Sequence, residues 1–128
     1  MFHAALGNYD EALADYNQAI EKGATGESAY INIAAVHMSR QKYDLAIENY
    51  DRAAEANPKS ASVIQQRAVA RKLAGELEGA IDDFATVLDM NPDNASAWMG
   101  RGYVRFQLKY YEKAVADFGL VVGNGGRG

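Results

Sequence analysis

Residues 46–58, AIENYDRAAEANP, return in altered form at residues 80–92, AIDDFATVLDMNP. The alanine that opens each segment, the aromatic residue four positions later and the closing Asn-Pro all recur after a step of 34 residues. Self-similarity at a fixed step of this length is typical of arrays of helix–turn–helix repeats. These two segments therefore predict that the whole chain is a helical repeat array.

The same step extends outward from these segments in both directions, without an insertion. It gives an alanine column at Ala12, Ala46, Ala80 and Ala114, an aromatic column at Tyr16, Tyr50, Phe84 and Phe118, and a small-residue column at Ala34, Ala68 and Gly102. Residues four apart on a helix share a face, so a small residue there lets two helices approach while the aromatic residue fills the space beside it. We expect the four aromatic residues to lie in the core.

These columns, and most clearly Trp98, Gly102, Ala114 and Phe118, resemble the tetratricopeptide repeat (TPR). The resemblance covers nearly the whole chain. It implies an all-α, right-handed superhelical solenoid of antiparallel helix pairs, with three full repeats plus one half repeat. The chain departs from the pattern where Arg67 and Arg101 stand in place of the usual leucine.

The repeats predict one TPR-like domain over residues 1–122, followed by a flexible Gly-rich tail at 123–128. Its repeats are expected at about 1–26 (partial), 27–60, 61–94 and 95–122. Helices are predicted at 9–22, 27–40, 43–56, 61–74, 77–90, 95–108 and 111–122. Polar residues at the expected N-caps, Ser28 or Glu27, Ser60 and Asn94, support these starts.

The amino-acid composition argues against several classes of function. The net charge of −4 argues against nucleic acid, which requires a basic surface, and the absence of cysteine excludes thiolate metal sites and cysteine nucleophiles. No apolar run approaches the ~20 residues that span a bilayer, so no membrane insertion is expected. The start of the chain lacks the features of a signal peptide, which favours a soluble, cytoplasmic protein.

Signals for catalysis or metal binding are weak. Gly123, Gly125 and Gly128 match the letters of a dinucleotide fingerprint but follow a helix instead of a strand. His3 and His37 lie one repeat apart without a third ligand, and Asp82 and Asp83 point about 100° apart on a helix. We expect no enzyme, no metal and no cofactor.

Two arginines each have an acidic residue at the same level of the following antiparallel helix. Counting outward from each turn brings Arg67 level with Asp83 and Arg101 level with Asp117. The earlier repeat carries Ile33 and Asn49 at the same places, so the charges occur together and are lost together. The sequence therefore predicts two structural ion pairs inside repeats and not a basic binding patch.

In TPR proteins the first helix of each repeat lines the concave surface, where extended peptides lie. The resemblance places on that face Ile31, Asn32, Ala35, Met38, Gln65, Gln66, Val69, Lys72, Met99, Tyr103, Phe106 and Gln107. Residues 99, 103 and 106 form one helical stripe, which is apolar or aromatic. Some TPR proteins grip the acidic C-termini of chaperones with a clamp of lysine, asparagine and arginine residues, and neither register of the array completes it. If the half repeat counts as the first, Asn32 matches, but Ser62 and Gln66 replace the cations. If counting starts at Glu27, the clamp sites hold Ile31, Ala35, Gln66, Ser96 and Gly100.

The predicted function is a protein–protein interaction scaffold that binds a peptide or helix of a partner in this groove. The alternative is a structural module that self-assembles through its ends. Leu120, Val121 and Val122 on the last helix, and Val104 on the preceding one, are expected to lack cover. Burying such apolar surface favours association, so we expect a homodimer.

Overall fold

The computed structural model describes residues 9–23 and 26–126, which contain seven helices and no strand. They are α1 (Tyr9–Glu21), α2 (Glu27–Ser39), α3 (Tyr43–Ala56), α4 (Ala61–Ala74), α5 (Leu77–Met90), α6 (Ala95–Gln107) and α7 (Tyr111–Gly126). The predicted all-helical fold is confirmed, and the first six helices end within one residue of the predicted positions.

The last helix is the exception. α7 continues to Gly126, whereas the prediction ended it at Val122 and began a flexible tail at residue 123. Each interior glycine costs a helix only about 1 kcal/mol, and adding one residue to an existing helix also adds one hydrogen bond. Residues 127 and 128 of the predicted tail lie outside the described residues, as do residues 1–8 of the predicted half repeat.

The helices form two compact units, Met1–Val63 and Ile64–Gly128, and the division falls within α4. In the first unit α2 packs against α1 and α3; in the second, α6 packs against α5 and α7. Because repeats in such an array contact mainly their neighbours, compact units can arise without a linker. The single domain stays a prediction, and each unit is described by itself.

The turns inside the repeats share one geometry. Gln41, Gly75 and Lys109, each 34 residues apart, have φ values of 60°, 88° and 67°. In each turn the amide of the next residue donates a 2.8 Å hydrogen bond to a carbonyl five residues earlier. This is the Schellman arrangement, which requires a left-handed residue and closes a helix end. Turns of only two or three residues make the two helices of each repeat antiparallel.

Two of the predicted N-caps lie where the structure begins a helix. The Asn94 side chain accepts a 3.0 Å hydrogen bond from the Ala97 amide, and the Ser60 hydroxyl accepts a 3.4 Å bond from the Val63 amide. The prediction for α2 was wrong, because Gly26 is its N-cap and makes no side-chain bond. Glycine is tolerated at this position, and Glu27 already belongs to the first turn, where its charge favours the helix dipole.

The repeat columns supply the core. The alanines of the alanine column and the small residues Ala34, Ala68 and Gly102 are buried, as are Tyr50 and Phe84. Tyr16 and Phe118, the first and last residues of the aromatic column, are half-buried. Val104 is 0% exposed, so the expectation that it lacks cover was wrong. The side chains of Leu120, Val121 and Val122 lie outside the part of the chain that the structure describes.

Candidate functional site

Each repeat of the second unit contains a cluster of two arginines and one buried aspartate. Arg67 donates two hydrogen bonds to Asp83, at 3.0 Å and 2.9 Å, and Arg71, one turn further along α4, donates a third at 3.1 Å. Arg101 and Arg105 of α6 make the same set to Asp117, at 3.2, 2.9 and 2.9 Å.

The structure thus brings both predicted couples together, and it adds a second arginine to each. Asp83 and Asp117 are 4% and 1% exposed, so each carboxylate depends on its arginines for compensation of its charge. Arg71 and Arg105 were missed by the sequence analysis, although both stand four residues after a predicted arginine, at the spacing that shares a helix face. These arginines are held inside the repeats and are not available to a ligand as a patch.

A pocket of about 650 Å³ opens between α4 and α6, and we call it the α4–α6 pocket. Its lining is mostly apolar and consists of Gln65, Val69, Lys72, Phe84, Ser96, Met99, Gly100, Tyr103 and Phe118. Five of these residues belong to the predicted groove: Gln65, Val69, Lys72, Met99 and Tyr103. A cavity of this volume can hold a small ligand or a bulky side chain of a partner.

Two glycines of α6 bring aromatic rings to this pocket. A Cβ atom at Gly100 would overlap the ring of Phe84, and one at Gly102 would lie 2.8 Å from the ring of Phe118. Without side chains at these positions, both rings can lie against the backbone of α6. Their ring atoms therefore line the pocket, although the sequence analysis assigned them to the core.

The polar groups of the pocket are few and specific. The Lys72 ammonium lies over the ring of Tyr103, 5.1 Å from its centroid, and within residues 9–23 and 26–126 no carboxylate lies within ion-pairing distance of it. Asn94 donates a 2.9 Å hydrogen bond to the amide oxygen of Gln65, which leaves the Gln65 amide nitrogen as the donor. The α4–α6 pocket therefore combines an apolar interior with one cation at its wall.

Three further residues of the predicted groove in this unit do not line the pocket. Gln66 and Gln107 lie outside it. Phe106 is 53% exposed and packs edge-to-face on Tyr111 with centroids 5.4 Å apart. The stripe 99, 103, 106 is thus divided, because α6 turns Phe106 toward α7 while Met99 and Tyr103, 53% and 50% exposed, border the pocket.

The first unit contains the other four residues of the predicted groove. Asn32 and Ala35 are exposed on α2, and Ile31 and Met38 are half-buried. None of the four lines the pocket of about 420 Å³ in this unit. Their role in binding stays a prediction.

A second pocket, of about 420 Å³, lies in the first unit, and we call it the α1–α3 pocket. Its lining is Leu13, Asn17, Ile20, Tyr30, Ile33, His37, Leu45, Glu48, Asn49 and Arg52. Among these residues, His37 has a buried Nδ1 atom that makes no hydrogen bond in the described part of the chain. Burial and the nearby Lys42 and Arg40 lower the pKa of His37, against the smaller opposite effect of Glu48.

Four residues that line the α4–α6 pocket were not predicted from the sequence as binding residues. Phe84 and Phe118 were taken as core only, and Gly100 and Ser96 were considered only as candidate clamp positions. Gly100 carried a signal, because it breaks a column that otherwise holds the amides Asn32 and Gln66.

Among the residues that the structure describes there is no group of three potential metal ligands, and none of the helices found there could cross a membrane.

Comparison with known protein families gives a single description for three parts of the chain. Models described as tetratricopeptide repeat match residues 1–21, 28–60 and 67–125. A comparison with curated proteins returns no significant match.

Several solved structures are similar in fold. A crystal structure of MamA has a TM-score of 0.88 and 17% identity, over 98% of this chain and 73% of that one. MamA from Desulfovibrio magneticus RS-1 has a TM-score of 0.83 and 19% identity, over 95% and 69% of the two chains. YrrB, described as a TPR protein with an unusual peptide-binding site, has a TM-score of 0.84 and 21% identity, over 95% and 63%. Identities this low show a common fold alone.

Proposed function

Because the chain belongs to the tetratricopeptide repeat family, we propose that it is a protein-interaction scaffold and that the α4–α6 pocket anchors a segment of a partner protein. The observation that carries this proposal is the pocket itself. It is large enough for one bulky side chain, and Met99 and Tyr103 at its edge are half exposed although they are apolar or aromatic. Exposed apolar surface around a cavity is characteristic of interaction sites.

The lining indicates the chemistry of the partner segment. Phe84, Phe118, Val69 and Met99 favour an apolar or aromatic anchor residue. Lys72 has no acidic partner in the described residues, so a carboxylate of the partner would find an uncompensated cation next to the anchor. We therefore expect a segment in which a large apolar residue stands close to an acidic one.

Two further observations support a peptide ligand. Gln65, with its oxygen held by Asn94, presents an amide donor, which suits a backbone carbonyl of an extended segment. YrrB, which shares the fold, is described as having a peptide-binding site. An extended segment bound by one anchor and a few polar contacts is a common mode of peptide recognition.

A displayed library of random peptides, selected on the purified chain, tests this proposal. Selected peptides are expected to share a large apolar residue with Asp or Glu close by, and to bind the chain in fluorescence polarisation. Met99→Glu places a negative charge at the edge of the pocket and is expected to weaken binding at least tenfold.

Met90→Glu is the matched control, because Met90 is also an exposed methionine but lies on α5 outside the pocket. It is expected to leave binding unchanged. Selected peptides without a common apolar residue, or an equal effect of the two variants, would count against the α4–α6 pocket. Circular dichroism of both variants checks that the helices are intact.

We also propose self-association as a second candidate function. The observation that favours it is the outer face of α7, where Val115 is 68% exposed and Tyr111 is 51% exposed. Covering such residues with a second copy would remove apolar area from water. This function does not depend on the α4–α6 pocket.

A further inference from the structure

The α1–α3 pocket lies where the first unit lacks the arginine–aspartate cluster of the later repeats. A step of 34 residues back from Arg67, Arg71 and Asp83 leads to Ile33, His37 and Asn49. All three of these residues line the α1–α3 pocket. Isoleucine and histidine are shorter than arginine, so neither reaches as far between the helices as a guanidinium group does. In the later repeats these positions hold the arginine–aspartate cluster, whereas in the first unit the equivalent positions border an open space.

Three residues that line this space, Asn49, His37 and Glu48, carry hydrogen-bond acceptors. The Asn49 side-chain nitrogen donates a 2.9 Å bond to the Leu45 carbonyl of its own helix, so the amide oxygen is the group that remains. The Nδ1 atom of His37 is buried without a partner in the described residues. With its pKa lowered, the imidazole is neutral near pH 7, and a neutral ring carries one acceptor nitrogen. Glu48 adds a carboxylate to the same lining.

Several other charged groups lie in or near the α1–α3 pocket. Arg52 and Glu48 both line it and are both exposed, so solvent screens the repulsion of a cation by Arg52 as well as its attraction by Glu48. Arg40, near His37, is bound to Asp10 at 3.1 Å, and Lys42 is exposed at the start of α3. Glu48 has no ion-pair partner in the part of the chain that is described.

From these observations we infer that the α1–α3 pocket binds a guanidinium group, which takes the place that Arg71 and Arg105 occupy in the later repeats. Asn49, His37 and Glu48 accept its hydrogen bonds. A planar group with five N–H donors matches several acceptors spread over two helices better than an ammonium does. The guanidinium comes from an arginine of a partner segment or from free arginine.

The test uses the full chain with His3→Gln, which leaves His37 as the only histidine. The NMR signal of its ring is followed while N-acetyl-arginine amide is added. The expected result is a saturable shift with a dissociation constant on the order of 1 mM, since one side chain offers few atoms for binding. Bound guanidinium also opposes protonation of His37, so the pKa of His37 is expected to fall further.

The matched compounds separate charge from shape. N-acetyl-citrulline amide has the same shape without the charge and is expected to bind at least tenfold more weakly. N-acetyl-glutamate amide tests the opposite sign: a saturable shift with a raised pKa of His37 would overturn the proposal in favour of an anion site. Equal binding of the citrulline compound, or no saturable shift with the arginine compound, would also overturn it.

Two variants test the assigned acceptors with the same His37 signal. Asn49→Leu removes the amide oxygen at similar size and is expected to weaken binding at least tenfold. Arg52→Ala removes a residue that cannot accept a hydrogen bond and is expected to leave binding unchanged or stronger. A reversed order of these effects would refute the assignment. Circular dichroism verifies the fold of each variant.

The source of the guanidinium follows from a comparison of free arginine with its blocked derivative. Tighter binding of the blocked derivative supports an arginine inside a partner segment, because the blocked ends resemble peptide bonds. Tighter binding of free arginine supports a small-molecule ligand. This pocket belongs to the first unit, so the result is independent of the α4–α6 pocket.

Discussion

Arg101 holds Asp117 with two parallel hydrogen bonds, Nε to Oδ2 at 3.2 Å and Nη2 to Oδ1 at 2.9 Å. The carboxylate side chain is 2% exposed and the arginine side chain 15% exposed. A two-point contact of this kind orients both groups and is stronger than a bond between neutral partners. Arg105 supplies the second cation to the same carboxylate.

Removal of this carboxylate leaves two arginines close together without compensation. We expect Asp117→Ala to lower the free energy of unfolding by about 3 kcal/mol, at the lower end for a broken buried pair because the guanidinium groups retain some solvent. Urea unfolding followed by circular dichroism measures it. Asp10→Ala is the control, since Asp10 pairs with Arg40 but its side chain is 95% exposed. Exposed pairs contribute about 0–1 kcal/mol, so similar losses in the two variants would contradict this account.

Gly100 and Gly119 are expected to respond oppositely to the same substitution. Gly100→Ala directs a methyl group into the ring of Phe84, which is only 1% exposed and cannot move away freely. We expect a loss of about 1–3 kcal/mol of stability and a smaller α4–α6 pocket. Nothing lies within 4 Å of a Cβ atom at Gly119, so Gly119→Ala should gain up to about 1 kcal/mol from helix propensity. The change in stability of both variants is measured by thermal unfolding. Stabilisation by Gly100→Ala would show that the Phe84 ring can move aside.

His37 is expected to make the stability of the protein depend on pH. Its pKa is lowered in the folded chain by burial, then by Lys42 and Arg40. The unfolded chain therefore binds the proton first as pH falls, near its ordinary value of about 6.5, and the free energy of unfolding declines from there down to the lowered pKa. Urea unfolding at pH 7.5 and pH 5.0 should show a smaller decline for His37→Gln than for the wild type. An identical pH dependence would show that His37 titrates alike in both states.

Tyr103 and Phe106 are expected to differ in their effect on a bound peptide. Both are aromatic and about half exposed on α6, but only Tyr103 lines the α4–α6 pocket. Tyr103→Ala removes pocket wall and the ring under Lys72, and a central aromatic is commonly worth ~2 kcal/mol, or about 30-fold in affinity. Phe106→Ala should leave the affinity of selected peptides within about twofold, in keeping with a position outside the pocket. Fluorescence polarisation provides the measurement, and equal losses would place the binding surface along the whole stripe.

Self-association is tested by sedimentation at tens of micromolar protein. If the outer face of α7 pairs with a second copy, the chain should sediment as a dimer. Val115→Lys should then shift it toward monomer, because a lysine on this 68% exposed position places a charge in the contact. A monomer at all concentrations would leave the second candidate function without support.

Several features could be read from the sequence because they depend on neighbours within one repeat. The spacing of Ala46 and Tyr50, repeated at Ala80 and Phe84, follows from the pitch of a helix and predicts which face is buried. The joint occurrence of Arg67 with Asp83 and of Arg101 with Asp117 indicated contact, since a buried charge without its partner would be costly. The seven helices and these two ion pairs could therefore be predicted from the sequence alone.

The two pockets needed the tertiary structure, because a cavity depends on what lies opposite a residue and not on the residue alone. Phe84 reaches the α4–α6 pocket only because Gly100, on another helix, has no side chain to exclude its ring. Met99 and Phe106 belong to one helical stripe, yet the turn to α7 places Tyr111 against Phe106 and leaves Met99 at the pocket. In the first unit, His37 and Asn49 are ordinary polar residues in the sequence. Packing of α1, α2 and α3 is what buries the His37 nitrogen without a partner in the described residues and encloses the space that the missing arginines leave.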